Sequence, residues 1–166
     1  MIKMNLQLFG GRGSGSGKAI SENLAKKLAF TDYADRNQIS NKDIEDIYGE
    51  YQYHATTSKA VFQIYEQGLI PNRGHAGKGV YFAPSEQSAL DWTEYTSTGG
   101  KFPMRVKTSS LYKNYKWDDI DGTESYAKTK IKSKDIEVKL GHSWVSMQEF
   151  VERRPTSYNM WRRMKK

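Results

Sequence analysis

Apolar positions along this chain recur at two spacings, and the changes between them mark out its elements. From Ile20 to about Tyr51 the spacing is helical. Leu24, Leu28 and Phe30 form one apolar stripe, with Lys26 and Lys27 on the other side. Asn41 is placed to cap a second helix running through Ile44 and Ile47 and stopping at Gly49. The spacing then shortens, and Tyr51–Ala55 reads as a strand. Ser58 is expected to cap a helix with Ala60, Val61, Ile64 and Tyr65 on one face and Gly68 just past its end. Pro71 to Lys78 reads as a loop and Gly79–Ala83 as a second strand. Ser85 then caps a helix through Ala89, Leu90 and Trp92. Phe102–Lys107 follows as a strand, which Pro103 restricts to an edge or to its first residues.

Further on, Lys128, Lys130, Lys132 and Lys134 alternate with Thr129, Ile131 and Ser133. On a strand these lysines would share one face, giving a solvated, aggregation-resistant edge. The apolar parity flips between Ile131 and the set Ile136, Val138 and Leu140, so a break is expected near Ser133–Asp135. Ile136–Leu140 and Ser143–Met147 can form a hairpin over Gly141-His142. From Glu149 the chain is helical and basic. The expected organisation is a flexible tether over residues 1–19, a helical segment over 20–49, a mixed α+β domain over 50–150 and a basic tail over 151–166.

Composition narrows the class. The chain has 166 residues, one domain's worth, with 26 Lys and Arg against 19 Asp and Glu and a formal charge of +7. That balance favours an acidic protein face, a nucleic acid or a phosphate-bearing ligand. There is no cysteine, so disulfides and thiolate zinc sites are excluded. No run of about 18 apolar residues suggests a membrane span. The opening residues, Met1 to Phe9, are too short and polar for a secretory core. Gly10–Gly17 followed by Lys18 looks at first like a phosphate loop. The pattern's first glycine would fall on Arg12, however, and Ala19 stands where Ser or Thr should hold magnesium. The segment reads as linker.

The candidate chemistry lies in Tyr53-His54-Ala55-Thr56-Thr57 and Gly79-Val80-Tyr81-Phe82-Ala83. A strand places Tyr81 and Ala83 on one face and Val80 and Phe82 on the other, so Tyr81 can line a cleft while its neighbours enter the core. A tyrosine combines a broad π face with a polar tip, which suits a flat heteroaromatic amide. Gly79 would let the backbone approach a ligand closely. His54 alone reads as an ordinary structural histidine, and Tyr81 alone as core. Their pairing around a helix of suitable length gives them functional interest. His75 and His142 lie in turn-like segments without an assigned role, and three scattered histidines suggest no metal site.

The succession strand, helix, loop, strand, helix, with His54 in the first strand and Gly79–Ala83 as the second, resembles the ADP-ribosyltransferase superfamily. The nearer branch is the diphtheria-toxin and poly-ADP-ribose-polymerase type, which carries a His, a Tyr and a Glu on three strands. The resemblance covers Tyr53 to Ile136. It implies a split antiparallel β-sandwich around a cleft for NAD, which is consumed as substrate. It implies that His54 bonds the adenosine-side ribose, with Thr56 beside it, and that Tyr81 stacks on nicotinamide. The third residue is open. Ser133-Lys134-Asp135-Ile136 resembles the family's turn after the catalytic strand, but counting back from it reaches Tyr126, Ala127 and Lys128, none acidic. Glu124 is the first candidate and Glu149 the second.

Asn5-Leu6-Gln7-Leu8-Phe9-Gly10-Gly11 resembles the opening of many small tailed-phage proteins. It implies a phage or prophage protein acting in the host cytoplasm or carried on the virion. The expected function is mono-ADP-ribosylation of an unidentified acidic acceptor, protein or nucleic acid. Two other functions compete with it: a catalytically degenerate transferase fold used as a binding or virion structural module, and a basic nucleic-acid-binding protein carried by Arg153–Lys166.

Overall fold

The computed structural model describes residues 15–94 and 101–165. The phage-like opening and residues 1–14 of the expected tether lie outside the described residues. Helix α1 (Gly15–Phe30) already includes Gly15, Ser16 and Gly17, inside the stretch expected to be linker. It is followed by a 3-10 turn at Arg36–Gln38 and by α2 (Asn41–Tyr48). Then come β1 (Tyr51–Thr57), α3 (Val61–Gln67), β2 (Asn72–Gly74), β3 (Gly77–Phe82), α4 (Glu86–Glu94), β4 (Lys101–Lys107) and α5 (Thr108–Asn114). The second half holds β5 (Trp117–Asp119), β6 (Ser125–Ala127), a 3-10 turn at Ser133–Asp135, β7 (Glu137–Leu140), β8 (Ser143–Ser146), α6 (Met147–Glu152) and α7 (Pro155–Met164).

The class is mixed α+β, as expected. Two antiparallel four-stranded sheets run in the orders β1-β4-β7-β8 and β2-β3-β6-β5. They meet where Tyr53 and Ala83 exchange backbone hydrogen bonds of 2.9 and 2.8 Å, an isolated bridge between β1 and β3. This bridge brings together the two segments singled out in the sequence.

One apolar core spans the helical N-terminal segment, both sheets and α6. Leu28, Ile44, Val61, Phe82, Met104, Trp117, Ile136 and Phe150 are all buried within it. Each such side chain contributes about 1.5–3 kcal/mol through removal from water. The expected boundaries at residues 50 and 150 therefore do not separate packed units. Residue 150 falls within α6, and α7 is docked rather than trailing. Tyr158 and Trp161 pack on Phe62, Tyr158 donates to Glu66, and Lys165 pairs with Glu66. Arg36 joins the N-terminal segment to β5. Its buried guanidinium lies between the Tyr33 and Tyr112 rings, donates to the Trp117 carbonyl and pairs with Asp118 at 3.1 Å.

Several local expectations change. Ser40, not Asn41, caps α2, with its hydroxyl accepting from the Asp43 N–H. Ser58 lies in the turn before α3, whose N-cap is Ala60 without a side-chain bond. Phe30 is 74% exposed and falls outside the α1 stripe. Part of the Pro71–Lys78 loop is strand, as β2 and the start of β3. Pro103 sits in an interior strand, but β7 reaches only Met104 and Arg105, so the proline lies beyond that pairing. The alternating lysines form no strand. Ile131 makes a single bridge to Leu69, and the Ser133–Asp135 turn follows, held by the Tyr115 hydroxyl on Asp135. The parity break does fall at Ser133–Asp135, and the hairpin closes over Gly141 with φ +63°. Among the described residues no helix is long and apolar enough to cross a membrane.

Candidate functional site

Register places the candidate residues. Tyr53 opposes Ala83 across the bridge, and Phe82 opposes Ser125 in the β3–β6 pairing. His54 therefore falls opposite Phe82, Glu124 opposite Ala83, and Tyr81 opposite Tyr126, within three neighbouring segments. Glu124 immediately precedes β6, and its carbonyl accepts from Ile120 N–H at 2.9 Å, which closes the turn between β5 and β6.

His54 is half-buried, and its Nδ1 lies 2.9 Å from the Tyr81 carbonyl oxygen. A carbonyl can only accept, so this contact places the proton on Nδ1 and leaves Nε2 as an acceptor. Burial lowers the His54 pKa below the ordinary 6.5, although the carbonyl contact acts in the opposite sense. The ring is therefore favoured neutral. A neutral imidazole with a free acceptor nitrogen suits a ligand hydroxyl. Thr56 shares the His54 face of β1 by alternation, is buried, and lies opposite Phe102 in β4.

Tyr81 is half-exposed while Val80 and Phe82 are buried, so β3 alternates as expected. The bridge register sets His54 opposite Phe82, and their rings are 6.1 Å apart. His54 therefore meets Tyr81 through its backbone. The Tyr81 phenol turns toward the β2–β3 turn, donating to the Gly77 carbonyl at 2.7 Å and accepting from Ala76 N–H at 3.1 Å. Its ring stacks on Tyr126 at 5.7 Å with 19° between planes, and lies 5.5 Å from His75.

The close approach expected at Gly79 is made by an aromatic ring of the protein. A Cβ on Gly79 would lie 2.5 Å from the Tyr126 ring, and one on Gly74 would lie 2.4 Å from the Tyr81 ring. These two glycines leave room for the stacked pair. Neither Tyr126 nor His75 stood out in the sequence. The Gly74 and Gly77 that flank His75 were the available signal, since they allow the tight turn on which it sits.

The two acidic candidates separate clearly. Glu124 pairs with His75 Nε2 at 2.7 Å and its side chain is 13% exposed. Burial raises its pKa, His75 opposes that rise, and Asp121 adds to it. Glu149 lies at the start of α6, where its N–H donates to Ser146 and its carboxylate pairs with Arg153. It does not join His54 and Tyr81. Glu124 also borders a cleft of about 210 Å³ with Tyr48, Gln52, Pro84 and Asp119. That cleft adjoins the acid but is not lined by His54 or Tyr81. Burial pushes Asp119 up to about 6. Gln52 is fixed, since its amide donates to the Tyr48 carbonyl and its oxygen accepts from Ser125, which also accepts from Trp117.

The Tyr81 ring and the partly shielded Glu124 carboxylate meet at His75, while the acceptor imidazole of His54 joins Tyr81 through its backbone carbonyl and packs against Phe82. These groups can bind sugar hydroxyls, support a flat ring and stabilise positive charge. No family model and no curated protein matches this chain.

Proposed function

We propose that this protein is an NAD-dependent mono-ADP-ribosyltransferase of the His-Tyr-Glu kind, and that its two sheets form the split sandwich of that superfamily. The observation that carries the reading is that His54 bonds the Tyr81 carbonyl at 2.9 Å while the Tyr81 ring and the Glu124 carboxylate both meet His75. A common stretch of sequence does not explain those contacts, because 27 residues separate the first pair.

In this reading His54 Nε2 accepts from a hydroxyl of the adenosine-side ribose, with Thr56 beside it on the same strand face. The Tyr81 ring supports nicotinamide. Breaking the nicotinamide–ribose bond sends its electron pair to the nicotinamide nitrogen and leaves an oxocarbenium-like sugar, as in glycoside cleavage. The Glu124 carboxylate stabilises that charge and orients the ribose hydroxyls. The acceptor's lone pair then forms the new bond to the anomeric carbon, and its proton passes to solvent. The charge of +7 favours an acidic acceptor, protein or nucleic acid. A phage origin, with action in the host cytoplasm or from the virion, accords with the chain's opening residues.

The test is incubation with labelled NAD and host lysate. Wild type should transfer label to a discrete acceptor, and His54→Ala and Tyr81→Ala should lose most of that transfer. Equal labelling by wild type and all variants would reject the assignment.

A further inference from the structure

We infer that His75 is a positioning residue for Glu124, holding its carboxylate aimed from the β2–β3 turn. This rests on the transferase reading of the site.

The geometry is specific. His75 Nε2 is 2.7 Å from a Glu124 oxygen, and the imidazole lies 5.5 Å from the Tyr81 ring at 36°. The turn that carries it is pinned to the same ring, because Tyr81 donates to Gly77 and accepts from Ala76. Gly77 has φ +118°, a conformation that favours glycine and lets the turn fold back over the strand. Gly74 leaves room for the Tyr81 ring beneath. His75 is thus delivered to the acid by the residue proposed to support nicotinamide.

The exposures differ in a useful way. His75 is 67% exposed and Glu124 only 13%. The carboxylate is the shielded partner, and shielding favours its neutral form. A neutral acid would neither stabilise an oxocarbenium ion nor hold a fixed orientation. The histidine opposes that tendency by hydrogen bond and by charge. A carboxylate has two oxygens, so one can take the histidine while the other serves the substrate. The other ionisable groups facing this pair are Asp121, Tyr81 and Tyr126, and Asp119 shares the adjoining cleft. None is cationic, so among these groups only His75 can lower the acid's proton affinity by its charge.

Three substitutions separate the contributions. His75→Ala removes ring and donor, His75→Phe keeps a ring beside Tyr81, and His75→Gln keeps a donor. Nicotinamide release from NAD is followed against pH, and the Glu124 carboxyl is titrated by NMR, its resonance assigned with Glu124→Gln. The Ala and Phe variants should lose about tenfold or more in kcat with KM for NAD little changed. Their acid limb should move to higher pH, and the Glu124 titration should move up with it. The Gln variant should recover part of kcat. A Phe variant matching wild type, a loss confined to KM, or an unmoved Glu124 titration would overturn the role. If wild type neither binds NAD nor releases nicotinamide, the transferase reading falls and the positioning role falls with it. The titration would still report whether the His75–Glu124 pair exists, so the two failures are distinguishable.

Discussion

Replacing Gly79 with alanine separates two reasons for a glycine in β3. If the glycine exists for a ligand, Gly79→Ala should spare stability and harm binding. The structure assigns it to the Tyr126 ring, which a Cβ would meet at 2.5 Å, against 3.4 Å for ordinary contact. The ring must therefore move by about 0.9 Å, which disturbs its stacking on Tyr81. Overpacking of this size costs about 1–3 kcal/mol, and a lost aromatic contact about 0.5–1.5 kcal/mol. Reduced freedom of the unfolded chain returns about 0.4–1 kcal/mol. The expected net loss is about 2 kcal/mol, measured by urea denaturation. The decisive background is Tyr126→Ala, where the clash is gone and Gly79→Ala should be close to neutral. The Ala127 carbonyl, 3.2 Å from the added Cβ, is met in both backgrounds and cancels in the cycle. A coupling energy of about 1–2 kcal/mol is expected. Additive effects, within about 0.3 kcal/mol, would refute the packing role.

Other expectations concern stability and pH. Arg36→Met should cost about 1–3 kcal/mol in chemical denaturation, because it leaves the Trp117 carbonyl without its donor, while Tyr33 and Lys128 still serve Asp118. Gly68→Ala should cost about 3 kcal/mol by the same assay. Its φ is +76° and its Cβ would lie 2.1 Å from the Ile131 carbonyl oxygen, which bonds Leu69 N–H. Asp119 is raised from the ordinary 3.8 to about 6, so the folded state holds its proton more tightly and stability falls as pH rises between those values. Asp119→Asn should therefore stabilise by up to about 3 kcal/mol at pH 8 and leave stability near pH 3 unchanged. His54 has the opposite sense for a base. Its folded pKa is lowered, so its contribution is lost as pH falls below the ordinary 6.5, and His54→Gln should flatten that part of the stability–pH curve.

What the sequence disclosed follows the range of each interaction. Strands β1 and β3, the break at Ser133–Asp135 and the Gly141 turn are local, set by alternation, parity and a positive φ. The contrast of buried Val80 and Phe82 with half-exposed Tyr81 was legible for the same reason. The lysine alternation misled because period two is also satisfied by an exposed connection whose single apolar residue, Ile131, is anchored by one bridge to Leu69. The seating of α7 on Phe62 and the burial of Arg36 depend on partners distant in sequence. The choice between Glu124 and Glu149 needed the Phe82–Ser125 register, which places the first beside β3. The turn that carries His75 was legible, but its role was not, since that lies in a contact with a residue 49 positions later in a different turn.

Direct comparison of NAD binding and nicotinamide release by purified wild type, His54→Ala, Tyr81→Ala, Glu124→Gln and Glu149→Gln tests the site as a unit. The account predicts weakened NAD binding for the His54 and Tyr81 variants. It predicts retained binding with release reduced at least about a hundredfold for Glu124→Gln, and wild-type behaviour for Glu149→Gln. Loss of release on changing Glu149 but not Glu124, or no NAD binding by the wild type, would contradict it.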